Sequence, residues 1–269
     1  GDAGGGNRPP AGDPGSARGP GGPGRGPGGG GGGSPSDATV VDGTSSTSPE
    51  EIGSGTEAMQ QTVADIKAMG GEAIVNGDNV ADWDGAKRMI DSAVEAFGDL
   101  DILVNNAGAA WGADFDEFPE SGWDKTVDLN MKTPFFLTQA LAPLLRAAAS
   151  KDHLAKVINI ASIDGVSVNA METYPYAASK AGLIHMTKRM ALRLIKDNIG
   201  VTAIAPGAFA SEMNKVARDH GDAISAAIPA GRIGTPEDMA GAAIYLASRA
   251  GDYVVGSTVI VDGGVTYAR

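Results

Sequence analysis

The 269-residue chain contains no cysteine. Disulfides and cysteine-ligated metals are therefore excluded, and the composition fits a reducing cytoplasm. Positive charge is also scarce: 21 Lys and Arg stand against 33 Asp and Glu, for a formal net charge of −12. Nucleic acids and anionic membrane surfaces both need basic patches, so neither partner is expected, which leaves small molecules. No apolar run approaches the ~18 residues that span a bilayer. No basic stretch followed by an apolar one marks a signal peptide. The three histidines, His153, His185 and His220, lie far apart and lack the spacing of a metal motif, so no metal is expected.

A further absence divides the chain in two. Residues 1–38 hold no threonine and no branched aliphatic residue, and Val40 is the first of the latter. The segment is mostly glycine and proline, as in Gly19-Pro20-Gly21-Gly22-Pro23-Gly24 and the glycine run over 28–33. Such a segment buries too little apolar surface to offset its chain entropy, so residues 1–37 are expected to be disordered. Residues 38–269 read as one domain.

Within that domain, short apolar runs alternate with helical patterns. Strands are expected over 38–42, 72–75, 100–104, 156–160, 201–205 and 258–261. Helices are expected over 49–69, 82–97, 120–149, 176–197 and 236–247. Gly70 and Gly71 stop the first helix. The second is amphipathic, with Trp83, Ala86, Ile90, Ala93 and Phe97 on one side. The long helix over 120–149 carries Pro134, a candidate kink. Continuously apolar strands separated by helices indicate a doubly wound α/β fold, a parallel sheet covered on both faces. Ligands in such folds bind beyond the carboxyl ends of the strands, where Asp42, Asn106, Ser162 and Pro206-Gly207 all fall.

Chemistry is concentrated in Tyr176-Ala-Ala-Ser-Lys180, with Ser162 fourteen residues upstream and Asn130 further back. Residues four apart on a helix share a face, so Tyr176 and Lys180 are expected side by side. An ammonium beside a phenol stabilises the phenolate, and the Tyr176 pKa is accordingly expected below its usual ~10. A serine hydroxyl close by can hold an alcohol or carbonyl oxygen against the phenol. The set suits proton transfer to or from an oxygen whose carbon gains or loses hydride. Tyr174 has no lysine four residues later and is read as a pocket wall. Trp111, Phe115 and Phe118 either border the substrate or pack under a loop, and Met171 and Glu172 are similar candidates.

Six motifs in order and register resemble the short-chain dehydrogenase/reductase family. They are Asn105-Asn-Ala-Gly108, the Asn130 segment, Ile160-Ala-Ser162, Tyr176-Ala-Ala-Ser-Lys180, Ala205-Pro-Gly207 and Val261-Asp-Gly-Gly264. The resemblance implies a Rossmann-like fold and an oxidoreductase acting on a secondary alcohol or ketone, with sugar acids and 3-oxoacyl compounds as candidate substrate types. It implies Tyr176 as general acid/base and Ser162 as orienter of the substrate oxygen. It implies Lys180 as the group that tunes Tyr176 and holds the nicotinamide ribose, and Asn130 as keeper of a proton-relay water. Asn106, Ala107 and Gly108 would line the adenosine side of the cofactor groove, and Pro206 and Gly207 the nicotinamide. Ser211 would contact the carboxamide or phosphate. Asp42 would accept from the adenosine ribose and Asp78 would sit near the adenine amine. A carboxylate at 42 repels a 2′-phosphate, which places NAD ahead of NADP. A homodimer or homotetramer is also implied.

The family's first unit, a buried strand, a Thr-Gly-x-x-x-Gly-x-Gly turn and a helix that cradles the pyrophosphate, is expected upstream of Asp42 and is not legible there. Gly24-x-Gly26-x-x-Gly29 fits a dinucleotide pattern, but has neither strand before it nor helix after it. Glycine and proline codons shifted by one base encode Ala, Val, Glu, Gly and Leu, the composition of such a unit. Residues 1–37 are thus read as a frameshifted or misassembled phosphate-binding unit, with a genuine disordered extension as the rival; sequencing the coding DNA decides. If no dinucleotide binds, the chain would serve as a catalytically silent scaffold, an oligomerisation or interaction module built on its long helices.

Overall fold

Four apolar segments form one parallel sheet in the computed structural model, which describes residues 49–78, 83–211, 214, 217 and 219–268. The strands are β1 (Ile102–Asn105), β2 (Ala155–Ile160), β3 (Ile199–Pro206) and β4 (Thr258–Val261), in that order across the sheet. Register is set by Leu103 opposite Val157, Val157 opposite Val201 and Ile204 opposite Val259. The helices are α1 (Pro49–Ala68), α2 (Trp83–Phe97), α3 (Glu120–Val127), α4 (Thr133–Ala148), α5 (Tyr174–Leu194), α6 (Gly221–Ser225) and α7 (Pro236–Ala247).

Alternation along each strand decides which layer a residue joins. Leu103, Val157 and Val201 pack with Ile90 of α2, Leu141 and Leu145 of α4, and Met190 and Leu194 of α5. Ile158 and Ile204 face the other way and meet Leu246 of α7. Helices thus cover both faces, as the apolar strands require. Chain punctuation matches local chemistry. Gly70 ends α1 at φ +86°, a conformation that costs glycine no Cβ clash. Thr235 and Asp238 cap α7 reciprocally. Asn198 adopts φ 59° to turn the chain from the end of α5 into β3.

Between α3 and α4 the helix widens into a π-turn, Asp128–Lys132. Pro134 has no N–H to close the α-type bond to the Asn130 carbonyl, and the extra residue is absorbed there. The kink expected at Pro134 is therefore this wider turn, and Asn130 sits inside it.

One expected element is not formed. Residues 71–78 run without ladder bonds, and Ile74 and Val75 are 43% and 40% exposed. A run this short holds strand geometry only beside a neighbour, and none of the described strands lies next to it. The expected neighbour over 38–42, with Asp42 and the segment 1–37, falls outside the described residues. Residues 102 and 104 of β1 turn the face opposite Leu103 outward, Ile102 at 42% and Val104 at 47% exposed. No helix among the described residues is long and apolar enough to cross a membrane.

Candidate active site

The carboxyl ends of β1, β2 and β3 place Asn105–Gly108, Ser162 and Pro206-Gly207 at one rim of the sheet, with α5 rising past it. Ser162 leaves β2 and caps the short turn Ile163–Gly165, its Oγ accepting the Asp164 N–H at 3.1 Å. Pro175 near the start of α5 suits a first helical turn and aims the next residue, Tyr176, inward. The Ser162 hydroxyl faces the Tyr176 phenol and favours its ionised form. Lys180, one turn on, is buried with its Nζ 5.6 Å from the Tyr176 ring centroid. Tyr176, Lys180 and Ser162 are thus brought together.

Their electrostatics differ from the expectation for Tyr176. Burial pushes its phenol above the usual value, the Ser162 hydrogen bond pulls it back in part, and the Asp164 carboxylate pushes it up again. The Lys180 Nζ, which donates at 2.7 Å to the Ile160 carbonyl, does not reverse that direction. The same burial lowers Lys180 from 10.5 to about 8. Desolvation, which spacing along a helix cannot convey, outweighs the proximity of the two groups.

Asn130 is a clamp. Its Oδ1 accepts the Ala109 N–H and its Nδ2 donates to the Ala109 carbonyl, both at 2.8 Å. Nδ2 also donates to Ser179 Oγ at 3.1 Å. Both amide protons are therefore spent on joining the Asn-Ala-Gly turn to α5. Gly108 is buried in this junction: a Cβ there would lie 3.3 Å from Asn130 Oδ1 and 3.6 Å from Lys180 Nζ. Ser179 was not singled out in the sequence, although it lies inside the Tyr176–Lys180 motif at i+3.

A second polar ladder runs beneath the rim. Asn105 Nδ2 donates to Asn159 Oδ1 at 2.8 Å, and Asn159 Nδ2 donates to Thr187 Oγ1 at 2.8 Å. These amides tie β1 to β2 and β2 to α5 in a buried setting where unpaired groups are costly. Nothing in a strand pattern marks Asn159, since its neighbours Ile158 and Ile160 carry the apolar signal.

The remaining candidates have separate surroundings. Asn106 is exposed, Ala107 half-buried. Gly207 donates to the Val261 carbonyl at 2.9 Å, and a Cβ on it would press within 2.7 Å of Asp262 Cβ, so only glycine fits. Ser211 is exposed and accepts the Asn214 N–H at 3.0 Å. Asp78 pairs with Arg88 at 2.7 Å and accepts from Asn76 Nδ2 at 3.0 Å, which lowers its pKa. Trp111 lies over Gly122, while Phe115 and Phe118 meet Tyr174 edge-to-face at 5.6 and 5.8 Å. Met171 is exposed and Glu172 accepts the Tyr174 hydroxyl proton at 2.8 Å.

The turn carrying Ser162 is held against α5 at Gly165, where a Cβ would come 2.6 Å from the Lys180 carbonyl carbon and 2.7 Å from the Ala181 nitrogen. Backbone cannot swing away as a flexible side chain can. Gly165→Ala is expected to lower Tm by ~5–10 °C, from an overpacking cost of ~2–3 kcal/mol, and to reduce turnover as Ser162 shifts. Melting curves and initial rates check it; wild-type values in both would show that the turn yields freely.

Three residues of the site would meet a nicotinamide ribose and the substrate beside it. Lys180 keeps ammonium protons beyond the one given to Ile160, Gly108 lies beside it without a side chain, and the Tyr176 ring centroid is 5.6 Å from its Nζ. This donor set fits ribose hydroxyls and the carbonyl of a substrate at the nicotinamide end.

The chain matches known proteins over most of its length. Residues 54–266 match the family model described as enoyl-(acyl carrier protein) reductase. A rhamnolipids biosynthesis 3-oxoacyl-[acyl-carrier-protein] reductase of Pseudomonas aeruginosa is 42% identical over 211 residues, 77% of this chain and 82% of that protein. A 2-dehydro-3-deoxy-D-gluconate 5-dehydrogenase of Dickeya dadantii is 38% identical over 208 residues, covering 76% and 81%. Among solved structures, the Pseudomonas aeruginosa RhlG/NADP active-site complex superposes with a TM-score of 0.72 at 41% identity, over 78% of this chain and 83% of that one.

Proposed function

The chain belongs to the short-chain dehydrogenase/reductase family, and from that membership we propose how its residues divide the work of an oxidoreductase acting on a secondary alcohol or ketone. The observation that carries the reading is the convergence of Ser162, Tyr176 and buried Lys180 at the carboxyl rim of the sheet. Relatives named as reductases and dehydrogenases lend the silent-scaffold reading no support.

A bound nicotinamide supplies or takes the hydride. Ser162 holds the substrate oxygen beside the Tyr176 phenol. In reduction Tyr176 donates its proton to that oxygen; in oxidation it takes the alcohol proton. Its raised pKa keeps it protonated at neutral pH, the form reduction needs, so reduction is favoured at neutral pH and oxidation at alkaline pH. Lys180 holds the ribose hydroxyls and places positive charge near the phenol as it ionises. Asn130 positions Ala109 and Ser179, and so the seat of Lys180.

The cofactor is NAD(P). Asn106, Ala107, Gly108, Pro206, Gly207 and Ser211 are assigned to its groove, with Asp42 at the adenosine ribose and Asp78 by the adenine. The preference for NAD rests on Asp42 alone, since one of the similar structures is an NADP complex. Residues 38–269 form the catalytic domain in this reading, in the cytoplasm and as a homodimer or homotetramer. Exposed Phe135 and Phe136 on α4 and Leu192 on α5 suit a helical interface.

Titration with NADH and NADPH, followed by nicotinamide fluorescence, tests the reading. Micromolar binding is expected, with NADH tighter. Tighter NADPH would remove the role given to Asp42, and no binding of either by a folded chain would return the scaffold.

A further inference from the structure

An open cleft of about 610 Å³ lies beside the catalytic rim, lined by Phe115, Phe118, Pro119, Glu120, Trp123 and Tyr174. Its apolar walls are unusually bare: Phe115 is 71% exposed, Trp123 42% and Tyr174 37%. Single exposed apolar residues need no explanation, but a contiguous aromatic patch in a concave surface does. Two stretches of chain join the lining of the cleft to the site. Tyr174 opens α5 two residues before Tyr176. The loop that carries Phe115 and Phe118 leaves the junction of Gly108 and Ala109, which Asn130 grips beside Lys180. The two stretches are stitched together by the Ala113 N–H on the Glu172 carbonyl at 3.3 Å.

Among the described residues, the charged groups placed at the cleft are acidic. Glu172 accepts the Tyr174 hydroxyl, Asp114 and Asp116 act on the same phenol, and Glu120 lines the wall. No lysine or arginine lines it. Asp164 adds negative charge on the Tyr176 side. An anionic substrate chain entering here would meet carboxylates with no cation to pair with, whereas a neutral apolar chain would cover the aromatic walls.

We propose that this cleft binds the uncharged apolar chain of a ketone whose carbonyl reaches Tyr176, and that its acidic rim discriminates against chains ending in a carboxylate. The inference rests on the oxidoreductase reading and selects, of the two substrate types the sequence suggests, the acyl-like chain over the sugar acid. Phe118, Trp123 and Tyr174 are the specificity-determining residues.

The experiment pairs two readouts on the full chain. Binding of alkan-2-ones of four to ten carbons, without cofactor, is followed by tryptophan fluorescence, and turnover of butanone with NADH or NADPH is measured separately. Affinity is expected to rise about threefold to fourfold per methylene until the cleft is full. Oxocarboxylates of matched length should bind at least about fivefold more weakly at low salt. That gap should close toward 1 M salt, where screening reaches ~3 Å. Phe118→Ala and Tyr174→Ala should flatten the chain-length dependence. Flat binding in the wild type, or equal or tighter binding of the oxocarboxylate, overturns the proposal. So does a dimer in which oxidative cross-linking of Phe118→Cys joins the subunits across the cleft. Butanone turnover reports on the catalytic reading alone: its loss alongside an intact chain-length series would sink that reading and leave the cleft standing.

Discussion

Tyr176→Phe is expected to reduce kcat by ~10²–10⁴-fold while the protein melts at or above the wild-type temperature. The rate loss is the usual contribution of a positioned acid or base. The stability forecast comes from the setting of the phenol. Its burial disfavours ionisation, and its partner Ser162 keeps the Asp164 N–H when the hydroxyl is removed. Only the Ser162 hydroxyl proton loses an acceptor, a cost of about 1 kcal/mol that the easier burial of phenylalanine offsets. Because the phenol acts on the reacting oxygen and not on the cofactor, dinucleotide affinity should stay within about twofold. Steady-state rates and calorimetric melting check the two halves. A kcat within about tenfold of wild type would mean that the proton reaches the substrate oxygen by another route, and Ser162 would be next in line.

Lys180→Met is expected to do the opposite of most active-site changes, stabilising the fold as it removes turnover. The buried ammonium titrates near 8 instead of 10.5. In the unfolded chain the lysine stays protonated up to its ordinary value; in the folded protein it loses its proton above about 8. Between those two points the unfolded state binds more protons, so this group makes stability rise with pH across that window. Below about 8 the burial cost is carried in full, on the order of 3 kcal/mol. Methionine removes that cost but orphans the Ile160 carbonyl, worth ~1–2 kcal/mol, leaving a net gain of ~1–2 kcal/mol at pH 7. Denaturant unfolding of both proteins at pH 7 and pH 10 measures it as a double difference. Equal pH slopes in the two would show that Lys180 keeps its ordinary pKa in the fold.

Such effects mark where reading the sequence stops. The strand over 258–261 and the helix over 236–247 were legible to the residue, because each is a clean apolar run with a chemical stop at its end. That Ser162, Tyr176 and Lys180 would come together was legible because helix periodicity and strand ends are one-dimensional signals. The direction of the Tyr176 shift was not, since it depends on how deeply α5 is buried against the turn over 163–165. That the Asn130 amide grips Ala109 depends on a π-turn that a single proline hints at but does not locate. Asn105 and Asn159 meet across two strands 54 residues apart in sequence. The strand expected over 72–75 shows the converse failure, a β-favouring composition with no described neighbour to bond with.

The π-turn also sets which changes of length this chain can absorb. Deleting any residue of Asp128–Lys132 would take out the residue that the wide turn absorbs and leave Pro134, which has no N–H to give, inside the joined helix. Each residue removed also rotates the chain on its N-terminal side by about 100° relative to the chain on its C-terminal side. Buried Thr126 would swing out of its seat, and the loop that Asn130 holds at Ala109 would lose its anchor or drag α3 with it. Natural insertions and deletions should therefore collect in connections such as 150–154 and spare this stretch, where the residue that looks surplus to the helix is the one that keeps the frame of the site.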